Sequence, residues 1–323
     1  MSKSVQRENK GMTSESKFTA VEPVQPQSTS SPLALSTSTR VASPWMIFWR
    51  QFRRHKLALF GSSLLFVLIL IAIFAPFVVQ HDPLKADIKN LSSPPSGLHI
   101  LGTDRAGRDV WARIAFASRV SLSVGIVAVA ISISIGTLLG AVSGYYGGWI
   151  DIGIQRFTDI VMCFPTLIII IAIVAIVGPS IYNVMIVIGL LGWTETCRLV
   201  RGQFLSLREK EFVEAAICLG LPIRRVIFVH ILPNVVAYII VAATFGVASA
   251  ILSEASLSFL GMGVQPPTPS WGNMLNASKN LATLTDLPWL WIPPGAMITL
   301  SILSINFMGD GLRDALDPRL IQR

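Results

Sequence analysis

Residues 120–143 read VSLSVGIVAVAISISIGTLLGAVS, 24 positions without a charged side chain. A helix rising 1.5 Å per residue needs about 20 such residues to cross a hydrocarbon layer of about 30 Å. Apolar continuity and absence of charge mark further spans at roughly 57–79, 160–178, 181–197, 234–253 and 289–309. The fourth is short: 181–193 reaches full thickness only with Thr194, Glu195 and Thr196, so Glu195 is expected near an interface or facing protein. The whole chain agrees, with 52% hydrophobic and 14% charged residues against roughly 25% charged in ordinary soluble domains. The expected fold class is all-α, a polytopic membrane helical bundle with six transmembrane helices.

Along this second span and one residue past it, Ser132, Gly136, Gly140 and Gly144 recur every fourth residue. They fall on one helix face, a small-residue stripe that lets two backbones approach closely in lipid. Ala242, Gly246 and Ala250 repeat the pattern in the fifth span. The alternative is the general abundance of Gly and Ala in membrane helices.

The flanks are polar. Residues 1–44 are rich in Ser, Thr and Pro, hold no apolar stretch long enough for a signal peptide, and read as a disordered tail. Residues 45–56 place Trp45 and Trp49 beside Arg50, Arg53, Arg54 and Lys56, the composition of an interfacial helix. With the N-terminus inside, cations collect in that helix, in 198–225 and after Arg313, which favours both termini on the cytoplasmic side. The segment 80–119 would then lie outside despite Lys85, Lys89, Arg105, Arg108, Arg113 and Arg119. The excess of 26 Lys+Arg over 18 Asp+Glu is thus read as membrane orientation, and nucleic acid is set aside.

The span cores contain essentially no Asp, Glu, Lys, Arg or His; Asp159, Glu195, Glu254 and Asp310 sit near span ends. Proton-coupled carriers generally bury such groups at depth, so energy for uphill movement is expected from another subunit. His55, His81, His99 and His230 are scattered and form no HExxH pair, and Cys163, Cys197 and Cys218 have no metal-binding spacing. No catalytic, cofactor or metal site is expected. Gly102 to Asp109 mimics the glycine spacing of a phosphate loop, but Asp109 stands where a hydroxyl should hold Mg²⁺ and the lysine is replaced, so an ordered external turn is expected.

Between the fourth and fifth spans, residues 208–234 read REKEFVEAAICLGLPIRRVIFVHILPN. Glu, Ala and Leu favour a short helix over about 209–219, Gly220 suits its C-terminal stop, and Pro222 can open a second helix. Pro233 is expected to mark entry into the next span. Phe212, Ala215, Ala216 and Leu219 share one face by i, i+3, i+4, i+7 spacing, with Ile223, Val226 and Ile227 starting another stripe. Such faces either enter a partner's groove or pack on the chain's own helices; spacing does not choose.

The loop resembles the EAA loop of permease subunits from ATP-binding-cassette importers: Glu214-Ala215-Ala216, then Gly220, then Leu232-Pro233, with His230 where isoleucine is usual. Leu101 to Asp109, Ser256 to Gly261, Gln265 to Leu275 and Asn306 to Pro318 are similar to the second permease subunit of dipeptide and oligopeptide importers. The resemblance covers nearly everything after residue 45. It implies a MetI-like permease fold over 57–323, six spans in a prokaryotic inner membrane with both ends cytoplasmic, and 198–233 as a cytoplasmic coupling loop. It also implies a homologous second permease, two cytoplasmic ATPase subunits that bind the ATP, an external substrate-binding protein and a peptide substrate. In that frame Phe212, Glu214, Ala215, Ala216, Leu219, Gly220, Pro222 and Pro233 form the ATPase-coupling loop, with Glu214 capping or ion-pairing. The same branch resembles subunits for nickel chelates and glutathione. A standalone secondary carrier and a membrane scaffold are the rival classes; the first would work without ATP, the second would move no solute.

Overall fold

Lys56 to Ile73 and Val110 to Tyr146 set the frame on which the rest of the chain is arranged. The computed structural model describes residues 44–316; the tail expected over 1–44 lies almost wholly outside them, as do Asp317 to Arg323. All regular structure among the described residues is helical, apart from a single antiparallel bridge between Thr103 and Asp109.

Helix α1 (Pro44–Arg54) ends at His55, whose Nδ1 accepts the Ala58 N–H at 3.1 Å and so caps α2 (Lys56–Ile73). The expected span 57–79 is interrupted at Phe74, before Pro76, and α3 (Ala75–Val78) is a separate turn. Helix α4 (Val110–Tyr146) then begins ten positions earlier than the expected span 120–143. The reason is Asp109, whose Oδ1 accepts the Ala112 N–H at 2.7 Å. The segment expected as 80–119 therefore ends as a loop at Asp109.

The expected span 160–178 is not one helix. Helix α5 (Gly148–Met162) and α6 (Thr166–Val177) meet at an angle of 82°. Pro165 cannot donate to the ladder and drives Phe164 out of the helical region. Helix α7 (Ile181–Arg208) outruns 181–197 by eleven residues, because nothing after Cys197 breaks it. After the short α8 (Glu211–Cys218), α9 (Ile223–Arg225) passes through a π-helical stretch, Val226–Ile231, into α10 (Leu232–Phe259). Pro233 thus stands in the first turn of α10, as its expected place at the start of the next span suggests, while the helical path continues N-terminal to it without a break. The Leu232 N–H bonds the Ile227 carbonyl five residues back, and this wider turn makes room for the proline ring. Helices α11 (Trp271–Ala277), α12 (Leu281–Asp286) and α13 (Ile292–Leu316) complete the chain.

Among the described residues five helices are long and apolar enough to cross a membrane, or six spans if the bent α5–α6 pair counts as one. Packing contacts fix their directions. A Cβ on Gly136 would meet Trp193 and Thr196, on Gly140 Cys197 and Val200, and on Gly144 Arg201 and Phe204, so α4 and α7 run parallel. Gly125 faces Ile251 and Gly246 faces Val129, so α10 runs against α4; Gly61 faces Phe307 and Gly311 faces Ala58, so α13 runs against α2. Consequently α8, the start of α2 and the end of α13 share one end, here the elbow end. Residues 80–109 and 261–290 share the other, the loop end, where the Trp289 indole N–H donates to the Thr103 carbonyl at 3.3 Å.

Four of the six cations of 80–119 have local partners. Arg108 and Arg113 face the Asp104 carboxylate at 2.8 and 3.6 Å, Arg105 donates to Thr283, and Arg119 donates to the Ala72 and Ile73 carbonyls at the end of α2. These four guanidinium groups serve loop closure and helix capping.

Candidate coupling surface and translocation face

The stripe Ser132, Gly136, Gly140 and Gly144 is seated against α7. A methyl on Gly140 would stand 2.6 Å from the Cys197 carbonyl oxygen and 2.8 Å from the Val200 Cβ. Both obstacles belong to the facing helix and cannot swing aside. Ser132 faces Gly192, with its Oγ 3.1 Å from where a Cβ would be. This seam continues to the elbow end, where Arg208 donates to the Tyr145 carbonyl at 3.4 Å. There the Arg201 guanidinium grips the Asp151 carboxylate with two bonds of 2.5 and 2.6 Å, tying α5 to α7.

Helix α8 stands on that platform. Its inward residues are Val213 and Ala216, both buried and packed with Val200 and Phe204 of α7 and with Val226, Ile227 and Ile231. Phe212, Ala215 and Leu219 remain exposed, Leu219 by 80%, alongside Ile217 and Ile223. Packing on the chain's own helices thus takes up one face of α8 and leaves an apolar strip on the other. Ala216, grouped by spacing with the outward stripe, turns inward, and Val213, unremarked in the sequence, carries most of the inward packing. Spacing could not separate these faces because eight residues span little more than two turns.

Gly220 ends the helix with φ +73°. Its N–H bonds the Ile217 carbonyl at 2.9 Å, and the Leu221 N–H bonds the Ala216 carbonyl at 3.2 Å. These are the two bonds of a Schellman motif, which demands a left-handed residue at this position. Pro222 follows with φ −65°, its carbonyl accepting the first N–H groups of the next helix, from Arg225 and Val226. Glu214 lies in the first turn of α8, where the dipole favours a carboxylate. Its side chain makes neither the cap nor the ion pair expected of it among the described residues. It points outward and leaves its charge available.

Between α4, α6, α7 and α10 lies a cavity of about 460 Å³. Its polar wall is built by Ser132, Thr166, Glu195, Ser249 and Ser253. Glu195 is exposed, and its position close to the expected end of a span now has a purpose: it faces this concavity. Glu254 behaves differently. Expected near a span end, it is fully buried, accepting from Ser121 of α4 at 3.0 Å and from Ser258 at 2.7 Å. Ser121 Oγ also receives the Trp271 N–H at 3.3 Å, so one carboxylate joins α4, α10 and the entry to α11.

The family described as binding-protein-dependent transport system inner membrane component matches residues 136–322. The one described as N-terminal TM domain of oligopeptide transport permease C matches 43–95. The dipeptide transport system permease protein of Alkalihalophilus pseudofirmus is 46% identical over 278 residues, 86% of this chain and 91% of that protein. A putative peptide permease protein of Brucella suis is 43% identical over 269 residues, 83% and 89% of the two chains. The glutathione transport system permease protein of Escherichia coli is 40% identical over 282 residues, 87% and 92%.

Proposed function

Because this chain belongs to the inner-membrane components of binding-protein-dependent transport systems, a multi-pass and non-catalytic permease family, we propose that it forms half of the translocation path of an ATP-driven peptide importer. The observation that carries this reading is the exposed strip Phe212, Ala215 and Leu219 on α8, held rigidly by the buried Val213 and Ala216. An apolar face on a small helix, presented outward and braced from behind, suits insertion into a cleft on another protein.

The proposed partners are two cytoplasmic ATPase subunits at the elbow end, a homologous second permease closing the cavity of Glu195, and a substrate-binding protein at the loop end. The elbow end and both termini are placed in the cytoplasm. Closure of the ATPase dimer on ATP moves α8. That motion passes through the shared cluster of Val213, Val200 and Phe204 into α7, and α7 carries α4 with it across the glycine seam. The cavity wall on α4 and α7 is displaced in turn, exposing the path alternately to the two sides.

Peptides are the proposed cargo, supported by the dipeptide permease relative at 46% identity. Glutathione is the second reading, supported by the relative at 40%; both cargoes carry a free ammonium that the Glu195 carboxylate could meet. Replacing Leu219 by Glu tests the docking surface. Its side chain is exposed, so the permease should fold and insert normally while co-purification of the ATPase subunits is lost. Undiminished co-purification from Leu219→Glu together with Phe212→Glu would remove α8 from the interface.

A further inference from the structure

Two histidines that lie 18 positions apart in sequence converge at the loop end. His81, His99 and Asp109 each offer one donor atom, and the three atoms lie within 4.8 Å of one another. Asp109 is divided in its duties. Its Oδ1 caps α4 through the Ala112 N–H, while its Oδ2 is 2.8 Å from His99 Nδ1 and 3.9 Å from His81 Nδ1. The two imidazole rings are 4.8 Å apart, centre to centre.

We propose that His81, His99 and Asp109 form a binding site for a divalent transition-metal ion of the zinc or nickel type. Bonds of about 2.0–2.1 Å from a tetrahedral ion place neighbouring N and O donors about 3.3–3.4 Å apart. The observed 2.8 and 3.9 Å to Asp109 bracket that value, and with all three donor atoms within 4.8 Å of one another a closure of at most about 1.4 Å between donors seats one ion against all three. Two imidazoles aimed at a single carboxylate oxygen are poorly served by hydrogen bonding alone, since that oxygen is already engaged closely by only one of them.

Surroundings favour a cation. The adjoining cavity of about 320 Å³ is lined by Asp82, Asp87 and Asp109 against the lone ammonium of Lys85. His99 and Asp109 are buried while His81 is one-third exposed, which gives a rigid base and an open side for entry and for water as a fourth ligand. Preorganisation comes from the backbone: the His99 carbonyl accepts the Ser96 and Gly102 N–H groups, and the Gly107 carbonyl accepts the Asp87 N–H. Imidazole donors select zinc, nickel, copper or cobalt over magnesium and calcium. The bound ion would pin residues 81–99 to the start of α4, closing a long loop.

The test uses the full chain, purified in detergent, stripped with chelator and freed of any histidine tag. Zinc chloride and nickel chloride are titrated by calorimetry and by thermal unfolding, with magnesium chloride as control. One equivalent of zinc or nickel should bind and raise the melting temperature, and magnesium should do neither. His81→Ala should bind at least about tenfold more weakly while melting, without metal, at the wild-type temperature, because His81 makes no close hydrogen bond. Cobalt(II) should give the visible spectrum of a four-coordinate N/O site in the wild type and lose it in His81→Ala. Absence of zinc and nickel binding in the wild type, or equal binding by His81→Ala, overturns the assignment.

Discussion

Replacement of Gly220 separates backbone conformation from bulk at the elbow. The residue sits at φ +73°, and a Cβ added there meets nothing within 4 Å. The whole intrachain cost of a side chain is therefore conformational, about 1–2 kcal/mol for an L-residue held in the left-handed region, with Asn nearer the lower limit and β-branched Val beyond the upper. At about 1.4 kcal/mol per tenfold, Ala should lower the equilibrium constant for closing the turn by about 5- to 30-fold. The Schellman bonds from Gly220 and Leu221 to Ile217 and Ala216 then fray, and the outward stripe of α8 loses its fixed orientation. Peptide uptake by the reconstituted importer, normalised to the amount of assembled complex, should fall in the order Gly, Asn, Ala, Val. Gly202→Ala is the control, since Gly202 lies within α7 with open space around it. Wild-type uptake and wild-type complex yield from Gly220→Val would refute the argument. So would an Asn variant as impaired as Val, because that pattern indicates bulk against a partner and not backbone strain.

Three further sets of substitutions probe the frame. Gly140→Ala should destabilise the detergent-solubilised chain by about 1–3 kcal/mol through overpacking against Cys197 and Val200, whereas Gly202→Ala should be neutral or stabilising by up to about 1 kcal/mol; thermal unfolding of the pair should show opposite signs. Removing either partner of the half-buried Asp151–Arg201 fork should cost about 1–3 kcal/mol, with a double-mutant cycle giving coupling well above the surface-pair range, and Arg201→Lys failing to restore it. Glu254→Ala leaves Ser121 and Ser258 without their acceptor as well as a void, and should lower stability by about 2–4 kcal/mol; Glu254→Gln, which keeps one carbonyl acceptor, should lose clearly less in the same melt.

Crossing segments were readable because apolar continuity is a composition signal that needs no tertiary information. Their ends were not, because caps and breaks act one residue at a time. Asp109 starts α4 early, and α5 and α6 meet at 82° around Pro165. Pro233 does stand in the first turn of α10, but the π-helical turn that joins α10 to the preceding helix has no local sequence signature. The glycine spacing of 136, 140 and 144 did carry its meaning, since a period of four on a helix maps onto one face whatever the partner. The docking helix was legible only in outline: Gly220 announced its stop, while the division between inward Ala216 and outward Ala215 depends on where α7 lies. Nothing in the spacing of His81, His99 and Asp109 signals proximity. The irregular segment 80–109 brings them together, and the available hint was that two histidines and an acidic helix cap shared one charged loop.

The central claim is that this chain moves peptide only as part of an ATP-driven assembly. Its most direct measurement is uptake of a labelled dipeptide into proteoliposomes containing this chain, its sister permease and both ATPase subunits, with the binding protein and ATP supplied on their respective sides. Uptake should require every component and ATP hydrolysis, and should vanish with Leu219→Glu. Accumulation of the dipeptide without ATP, or by vesicles containing this chain alone, would contradict the account.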